Sequence, residues 1–266
     1  MGKGGYEMIK ANMIASRKNQ VLGHRRLGTL FVFFCIVFGA GWAESQEPFQ
    51  WSVTPYIWAS DTKVDLTLRD ESLGGGEISF KDLLDTLDSA FMINVEGGRG
   101  QWSVFGDLTY LETSDTNERT LLVIDTNSKQ TVFDTGVAYW PSGAGSSLSL
   151  IGGLRYSGFD DRYTFITENL PVSKRRNSND YYDVLLGVRY RFDLSERWSL
   201  LTHADFSFGD SEGTFLLRAN FAYTVGKRQQ NRILFGYQYK QAEFKDGDLT
   251  SDFSYQGPMA GFNFRW

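Results

Sequence analysis

Cysteine and histidine are almost absent from this chain, and each shortage excludes a class of site. Cys35 is the only cysteine, so the chain cannot form an internal disulfide or a thiolate metal site. Two histidines occur among 266 residues, and neither lies in a metal-ligand spacing. No glycine-rich phosphate loop is present either. We therefore expect no metal and no cofactor.

Long apolar runs are also missing. The longest covers about 12 residues, fewer than the roughly 18 that a membrane-spanning helix requires. Mean hydropathy is -0.32, which by itself is typical of a soluble protein. A transmembrane β-barrel alternates apolar and polar residues, however, and its hydropathy averages out. Low hydropathy therefore does not exclude a membrane barrel.

The N-terminal 43 residues have the composition of a secretory signal peptide. A basic stretch containing Arg25 and Arg26 precedes the apolar run, and small residues follow at Gly41 and Ala43. The apolar run, which contains Cys35, is too short for a membrane anchor. We predict cleavage after Ala43, leaving residues 44–266 as one mature domain. Because the basic stretch is long, translation starting at Met8 or Met13 is an alternative.

Removal of this segment would make the protein more acidic. The whole chain has a formal charge of -5, and residues 1–43 hold six Lys/Arg and one acid, a net +5. The mature chain would then carry -5 minus +5, or -10. Nucleic-acid binding requires the opposite charge and is not expected.

Alternating apolar and polar residues recur along the mature chain and predict ten β-strands. These segments are, approximately, residues 49–58, 89–98, 101–110, 131–140, 148–156, 182–191, 198–206, 215–223, 233–240 and 259–266. Short turns alternate with longer polar links, over residues 60–88, 112–129, 159–180 and 241–253. This pattern is typical of an outer-membrane barrel with short periplasmic turns and longer extracellular loops. Segments 63–69 and 119–125 leave the strand number between eight and 12.

A soluble β-sandwich or solenoid with one wet face is the alternative fold. Large aromatic residues cluster at the strand ends, where membrane interfaces place them. They are Trp51, Tyr110, Tyr139, Tyr156, Tyr190, Trp198, Tyr239 and Trp266. The polar face carries charges of both signs, as expected of a closed lumen. Both observations favour the barrel.

The inward-facing charges are nearly balanced, with five acids and six bases. The acids are Glu96, Asp107, Asp134, Asp183 and Asp205, and the bases are Arg155, Arg189, Arg191, Arg218, Lys240 and Arg265. A ten-stranded barrel has a narrow interior, and unpaired buried ions are costly. We predict that these residues form a network that holds the lumen shut. A narrow polar conduit or a small-solute site is the alternative.

Two segments between the strands carry further signals. Residues 79–87 predict a short helix with a capping box from Ser79 to Asp82, either at the extracellular mouth or tucked against the rim. The run Lys174, Arg175 and Arg176 is either a contact for lipopolysaccharide phosphates or a solvated charge run.

His203, the only histidine of the mature chain, is the residue on which a catalytic role would depend. With Asp205 it forms H-A-D, two inward residues on one strand. Barrel hydrolases combine a histidine with acids or serine, so these two are the candidate catalytic residues. The ten-stranded barrel proteases require D-x-H and further rim acids, whereas this chain has H-x-D near mid-strand. We therefore expect no enzymatic activity, and an outer-membrane hydrolase that uses His203 is the alternative.

Two stretches carry a resemblance to a protein family. W-S-V-T-P-Y-I-W (51–58) and I-S-F-K-D-L-L-D-T-L-D-S-A-F-M (78–92), followed by G-Q-W-S-V-F-G-D-L-T-Y, resemble an uncharacterised family of proteobacterial outer-membrane barrel proteins. The resemblance implies a fold and the outer membrane of a Gram-negative bacterium, but no activity.

The terminal G-F-N-F-R-W is similar to the signal that the barrel-assembly machinery recognises. Gly261, Phe264 and Trp266 occupy its glycine and aromatic positions, although Met259 departs from the usual polar residue. We expect a structural or surface barrel in contact with outer-membrane lipid and lipopolysaccharide. A narrow channel or binder for a small polar or amphipathic solute is the alternative, and the sequence leaves the oligomeric state open.

Overall fold

The computed structural model describes residues 48–119, 122–143, 145–167, 170–226 and 230–266. One short helix, α1, spans Phe80–Thr86. The strands are β1 (Gln50–Trp58), β2 (Asp61–Leu68), β3 (Glu71–Ile78), β4 (Leu87–Arg99), β5 (Trp102–Arg119), β6 (Leu122–Tyr139), β7 (Leu148–Thr167), β8 (Leu170–Asp193), β9 (Trp198–Gly209), β10 (Gly213–Val225), β11 (Asn231–Asp246) and β12 (Leu249–Arg265). No helix in these ranges is long and apolar enough to cross a membrane.

Ten of the strands close into one antiparallel barrel. The order is β1, then β4 to β12 in sequence, and β12 pairs back with β1. At this closure Val53 lies opposite Phe264, and Trp51 and Trp266 exchange two backbone hydrogen bonds of 2.9 and 3.0 Å. Closure satisfies the backbone groups that an open sheet would leave exposed. The prediction of a single antiparallel barrel of about ten strands is confirmed.

The outer wall is apolar and the inner wall is polar, as the alternation predicts. Large apolar side chains that are about half exposed project outward from neighbouring strands, for example Phe91, Leu154, Leu186, Phe221 and Phe235. A water-soluble domain would not expose so continuous an apolar surface. This surface is the lipid-facing band of a transmembrane barrel.

Aromatic pairs ring the end of the barrel where the short turns and the last residue lie, which we call the turn end. The ring centroids are 4.5–5.0 Å apart in Phe49–Trp51, Trp102–Tyr139, Tyr190–Phe192, Trp198–Tyr223 and Phe262–Phe264. Amphipathic rings prefer the boundary between lipid and water. The turn end therefore marks one membrane surface.

At the opposite end, which we call the hairpin end, the prediction of long loops is wrong. Residues 112–119 continue β5, and β6 already begins at Leu122. In the same way, β7 extends to Thr167 and β8 begins at Leu170. Beyond the bilayer both faces of a strand contact water. Polar residues, such as those at 114–117, therefore occupy both faces, and the alternation that identifies a strand in the sequence is lost. The hairpins therefore project from the membrane as a sheet.

The link at 60–88 contains the β2–β3 hairpin and α1. The hairpin pairs only with the part of β12 nearest the hairpin end, outside the closed ring. Arg69 and Asp70 form its turn with φ values of 49° and 66°, as a tight hairpin requires. Ser79 caps α1 by accepting a hydrogen bond of 3.2 Å from the Asp82 amide, which confirms the predicted helix start. No residue of α1 is buried, so the helix lies on the rim and does not fill the lumen.

Candidate functional site in the barrel lumen

The centre of the lumen is occupied by an ion cluster around Arg155. Strand register places Asp134 of β6 directly beside Arg155 of β7. The guanidinium donates to both carboxylate oxygens of Asp134, at 2.8 and 2.7 Å, and also to Asp205 at 3.0 Å and Ser207 at 3.4 Å. Arg155 is 1% exposed. Burying a charged side chain is costly unless it is paired and hydrogen-bonded, and Arg155 meets both conditions. We call Arg155, Asp134, Asp205 and Ser207 the central cluster.

His203 and Asp183 adjoin this cluster. His203 Nε2 lies 2.6 Å from Asp205 Oδ2, so the two candidate catalytic residues do contact each other. The other oxygen of Asp205 accepts from Arg155, so the carboxylate is shared between the imidazole and the guanidinium. Asp183 accepts from the hydroxyls of Ser207 and Ser211, at 3.2 and 2.6 Å, and from the Ser211 amide. Its partners are hydroxyl and amide donors and not one of the predicted bases.

A second charge group lies closer to the turn end. Arg189 donates to Glu96 at 2.8 Å, and its guanidinium lies 4.8 Å above the Phe105 ring. The Ser103 hydroxyl donates to the other oxygen of Glu96. These contacts join β4, β5 and β8 across the interior, where side chains of non-adjacent strands meet.

The third group is built around Asp107. Its carboxylate accepts from the Tyr56 hydroxyl at 2.6 Å and from Asn94 at 3.1 Å. Arg218 lies 3.9 Å away, packs over the Tyr56 ring at 5.5 Å, and donates to Gln238 at 2.6 Å. Neutral Tyr, Asn and Gln side chains thus complete the hydrogen bonding of the charged residues.

Lys240 differs from the other predicted network residues. It is 8% exposed and lies in the electrostatic environment of Asp134, Asp205 and Arg155. Among the described residues its side chain makes no hydrogen bond and no ion pair within 4.0 Å. Its charge is therefore balanced through the field of the central cluster and not by a direct contact.

Aromatic side chains pack against one another inside the lumen on the hairpin side of the central cluster. Phe159, Tyr181, Phe244 and Phe253 come from β7, β8, β11 and β12, and their ring centroids lie 4.5–6.3 Å apart. Tyr255 stacks on Phe253 at 6.1 Å and accepts a hydrogen bond from Gln130 at 3.3 Å. We call Phe159, Tyr181, Phe244, Phe253 and Tyr255 the aromatic closure. The sequence does not predict the aromatic closure, because the strands predicted from alternation end before these residues.

A cavity of about 370 Å³ occupies the lumen at the turn end. Its lining runs inward from the turn-end mouth to Asp134, Asp205 and Leu216. Arg155 and Tyr255, which come next along the lumen, do not line it. The cavity therefore ends where the central cluster begins.

Arginines predominate among the charged side chains that line the cavity. They are Arg99, Arg189, Arg191, Arg218, Arg232 and Arg265, against the acids Glu96, Asp107, Asp134 and Asp205. Arg191 donates to the Gly145 carbonyl at 2.7 Å and lies 3.0 Å from Asp193, and Arg265 donates to Gln50. Arg232 was not predicted, although it shares the inward parity of Gln238 and Lys240.

The remaining predicted residues lie outside the lumen centre. Lys174, Arg175 and Arg176 are exposed on the projecting part of β8. Arg176 donates twice to Asp160, at 2.9 and 2.7 Å, and these hydrogen bonds hold the pKa of Asp160 below its usual range. Of the residues predicted as the assembly signal, Gly261 and Phe264 lie in the turn-end part of β12, and Trp266 directly follows the strand.

In that strand Gly261 permits a close contact. A β-carbon at Gly261 would lie 2.9 Å from the Tyr56 side chain. Phe264 and Trp266 point outward and are about half exposed. No cluster of three or more potential metal ligands occurs among the described residues.

The fold and the charge-filled lumen define a small transmembrane β-barrel of the outer-membrane type. No protein-family model and no curated protein sequence matches the chain. Solved structures that it resembles include the outer-membrane protease OmpT of Escherichia coli, at 10% identity over 82% of this chain and 96% of that one, with a TM-score of 0.49. The attachment invasion locus protein Ail of Yersinia pestis matches at 13% identity over 82% and 99%, with a TM-score of 0.37.

The transport unit of the E. coli autotransporter AIDA-I is a third such structure, at 8% identity over 97% of both chains, with a TM-score of 0.39. These proteins differ in activity from one another. The assignment of the fold rests on the strand pairing of this chain, and no activity is transferred from them.

Proposed function

We propose that this protein is a structural or surface barrel of the Gram-negative outer membrane whose lumen is closed to solute flow. The observation that carries the proposal is the succession of two barriers, the central cluster and the aromatic closure, across the narrow interior. Export through a signal peptide at residues 1–43 and cleavage after Ala43 belong to the same proposal. The turn end, where β1 begins and β12 ends, then faces the periplasm.

We expect the mature protein to show no stable conductance in planar lipid bilayers. Both barriers consist of packed side chains that would have to separate before hydrated ions pass. The measurement is single-channel recording, with a general porin in the same bilayers as the open control and heat-modifiable gel migration as the check of folding. Stable steps well above background from the folded protein would overturn the closed lumen.

Contacts with lipopolysaccharide are the partner interaction that we propose at the hairpin end. Lys174 and Arg175 are exposed there and make no ion pair among the described residues, while Arg176 is already shared with Asp160. Cations at the outer membrane surface can pair with lipid phosphates.

We also propose that the barrel-assembly machinery recognises the last strand. Deletion of Trp266 should lower the amount of assembled barrel more than it lowers the stability of barrels already assembled. The deletion removes two backbone hydrogen bonds to Trp51, worth about 1 kcal/mol each. Outer-membrane yield and urea unfolding of the purified barrel measure the two effects separately. Equal yields with and without Trp266 would contradict a role in recognition.

A second candidate function is binding of a small polar solute. The cavity at the turn end favours it, because the cavity opens at one end and ends at the central cluster. Such a site is compatible with a closed lumen.

A further inference from the structure

We propose that the turn-end cavity binds a small water-soluble oxyanion, of the phosphate or phosphomonoester class, through Arg191, Arg232 and Arg265. The proposal deepens the second candidate function above and rests on the closed lumen, since a cavity open at one end is a binding site and not a passage. With the turn end in the periplasm, the ligand would be a periplasmic solute.

The acids that line the cavity are already paired. Asp134 and Asp205 bind Arg155, which lies behind the cavity wall. Glu96 binds Arg189 and Ser103. Asp107 accepts two hydrogen bonds from neutral donors and has Arg218 nearby. None of these carboxylates needs a further cation.

The arginines at the mouth are not neutralised to the same extent. Arg232 lies opposite Asn263 in the β11–β12 register, and Arg265 is two residues further along β12 on the same face. Diagonal neighbours of this kind lie within reach of long side chains. Arg265 and Arg191 both act on Arg232 as like charges, and Asp193 is the opposing charge.

Asp193 cannot balance this group alone. It lies 3.0 Å from Arg191, but its side chain is 62% exposed and its charge is screened by solvent. Within the described residues, the Arg232 side chain makes no hydrogen bond or ion pair, and the Arg265 side chain binds only the neutral Gln50. Among the described residues, Arg191, Arg232 and Arg265 therefore line one mouth with a single solvent-screened acid beside them.

This arrangement matches the chemistry of an oxyanion. Guanidinium groups donate in planar forks that fit pairs of oxygens on phosphate, and charge-assisted hydrogen bonds are the stronger ones. A bound dianion would relieve the repulsion among the arginines in a partly desolvated site. The cavity, about 370 Å³, lies at the lower end of the range of small-molecule sites.

Phospholipid headgroups offer the same phosphate chemistry at this membrane surface. We assign the site to a free solute because Arg191, Arg232 and Arg265 line the inside of the barrel, whereas the lipid-facing wall at this end is formed by the aromatic pairs. A headgroup would have to cross that wall at the rim.

The test uses the full mature barrel, refolded in neutral phosphatidylcholine nanodiscs, and inorganic phosphate and pyrophosphate as probes. Isothermal titration at constant ionic strength should show saturable binding. Arg232→Gln and Arg265→Gln should each weaken binding about tenfold or more, which corresponds to the loss of one charge-assisted contact. The matched control Arg176→Gln removes the same charge at the hairpin end and should leave binding unchanged.

Each outcome decides the proposal. Absence of saturable binding by the folded wild-type barrel would overturn it, and so would equal weakening by Arg176→Gln. Heat-modifiable migration of every variant separates loss of binding from loss of folding. In a second arm, anionic phosphatidylglycerol replaces part of the neutral lipid.

Unchanged phosphate binding in that arm supports the free solute. Loss of phosphate binding there would show that the headgroup occupies the site and would overturn the assignment. Failure of binding leaves the conductance result untouched, so a failure of the oxyanion site is distinguishable from a failure of the closed lumen.

Discussion

Replacing Arg155 by alanine is expected to destabilise the folded barrel by about 3–5 kcal/mol, the usual effect of breaking a buried ion pair from one side. The substitution leaves the carboxylates of Asp134 and Asp205 in the lumen without their guanidinium partner. Both carboxylates are largely buried, so water cannot fully replace the lost hydrogen bonds. Urea unfolding of the refolded barrel in lipid vesicles, followed by tryptophan fluorescence, measures the change.

The matched control is Arg176→Ala. This arginine also donates two hydrogen bonds to one carboxylate, that of Asp160, but its side chain is 61% exposed. We expect a loss below about 1 kcal/mol, as for other solvent-exposed pairs. Removing the buried charges together, as in Arg155→Met with Asp134→Asn and Asp205→Asn, should recover much of the stability. If Arg155→Ala and Arg176→Ala unfold at the same urea concentration, the central cluster does not hold the barrel together.

A single added methyl group at Gly257 should lower the refolding yield of the barrel severely. A β-carbon there would lie 1.9 Å from the Ala59 carbonyl oxygen and 3.0 Å from the Ser60 Cα atom. Gly257 is the point of β12 at which pairing passes from β1 to β2, and the Ala59 amide donates to the Pro258 carbonyl at 2.9 Å. Because the obstructing atoms are backbone, we expect a cost above the roughly 1–3 kcal/mol of ordinary overpacking.

The control for Gly257→Ala is Gly152→Ala, another glycine in the barrel wall. Its β-carbon would meet only the Leu186 side chain, at the ordinary contact distance of 3.8 Å. The fraction of heat-modifiable protein after refolding compares the two variants. Similar fractions would mean that the junction between β1 and β2 adapts, and that Gly257 is not required for barrel closure.

The barrel wall could be predicted from the sequence because lipid on one side and a polar lumen on the other impose alternation. Leu154 and Arg155 illustrate this, since adjacent residues face lipid and the ion cluster. Where the strands leave the membrane, at residues 114–117, no apolar face is required and the pattern is lost. The projecting hairpins were therefore predicted as loops.

The sequence predicts which charged residues face the lumen, but it does not predict which of them contact each other. Alternation identifies Asp183 as inward, but its contacts with Ser207 and Ser211 depend on strand register and tilt. Arg232 and the aromatic closure have the correct parity, and longer strands in the prediction would have included them. Their spatial grouping, however, depends on which strands face each other across the barrel, which the sequence pattern does not contain.

The projecting part of β8 has a consequence for association between molecules. Within the described part of the chain, β9 pairs with β8 only from Asp183 onward, so residues 172–181 form an open sheet edge outside the membrane. Open edges invite pairing with strands of other proteins, and natural sheets discourage this with lysine and arginine. Lys174, Arg175 and Arg176 lie on this edge. Lys174 and Arg175, which make no ion pair among the described residues, repel the same cations of a neighbouring copy and so disfavour the pairing of two such edges.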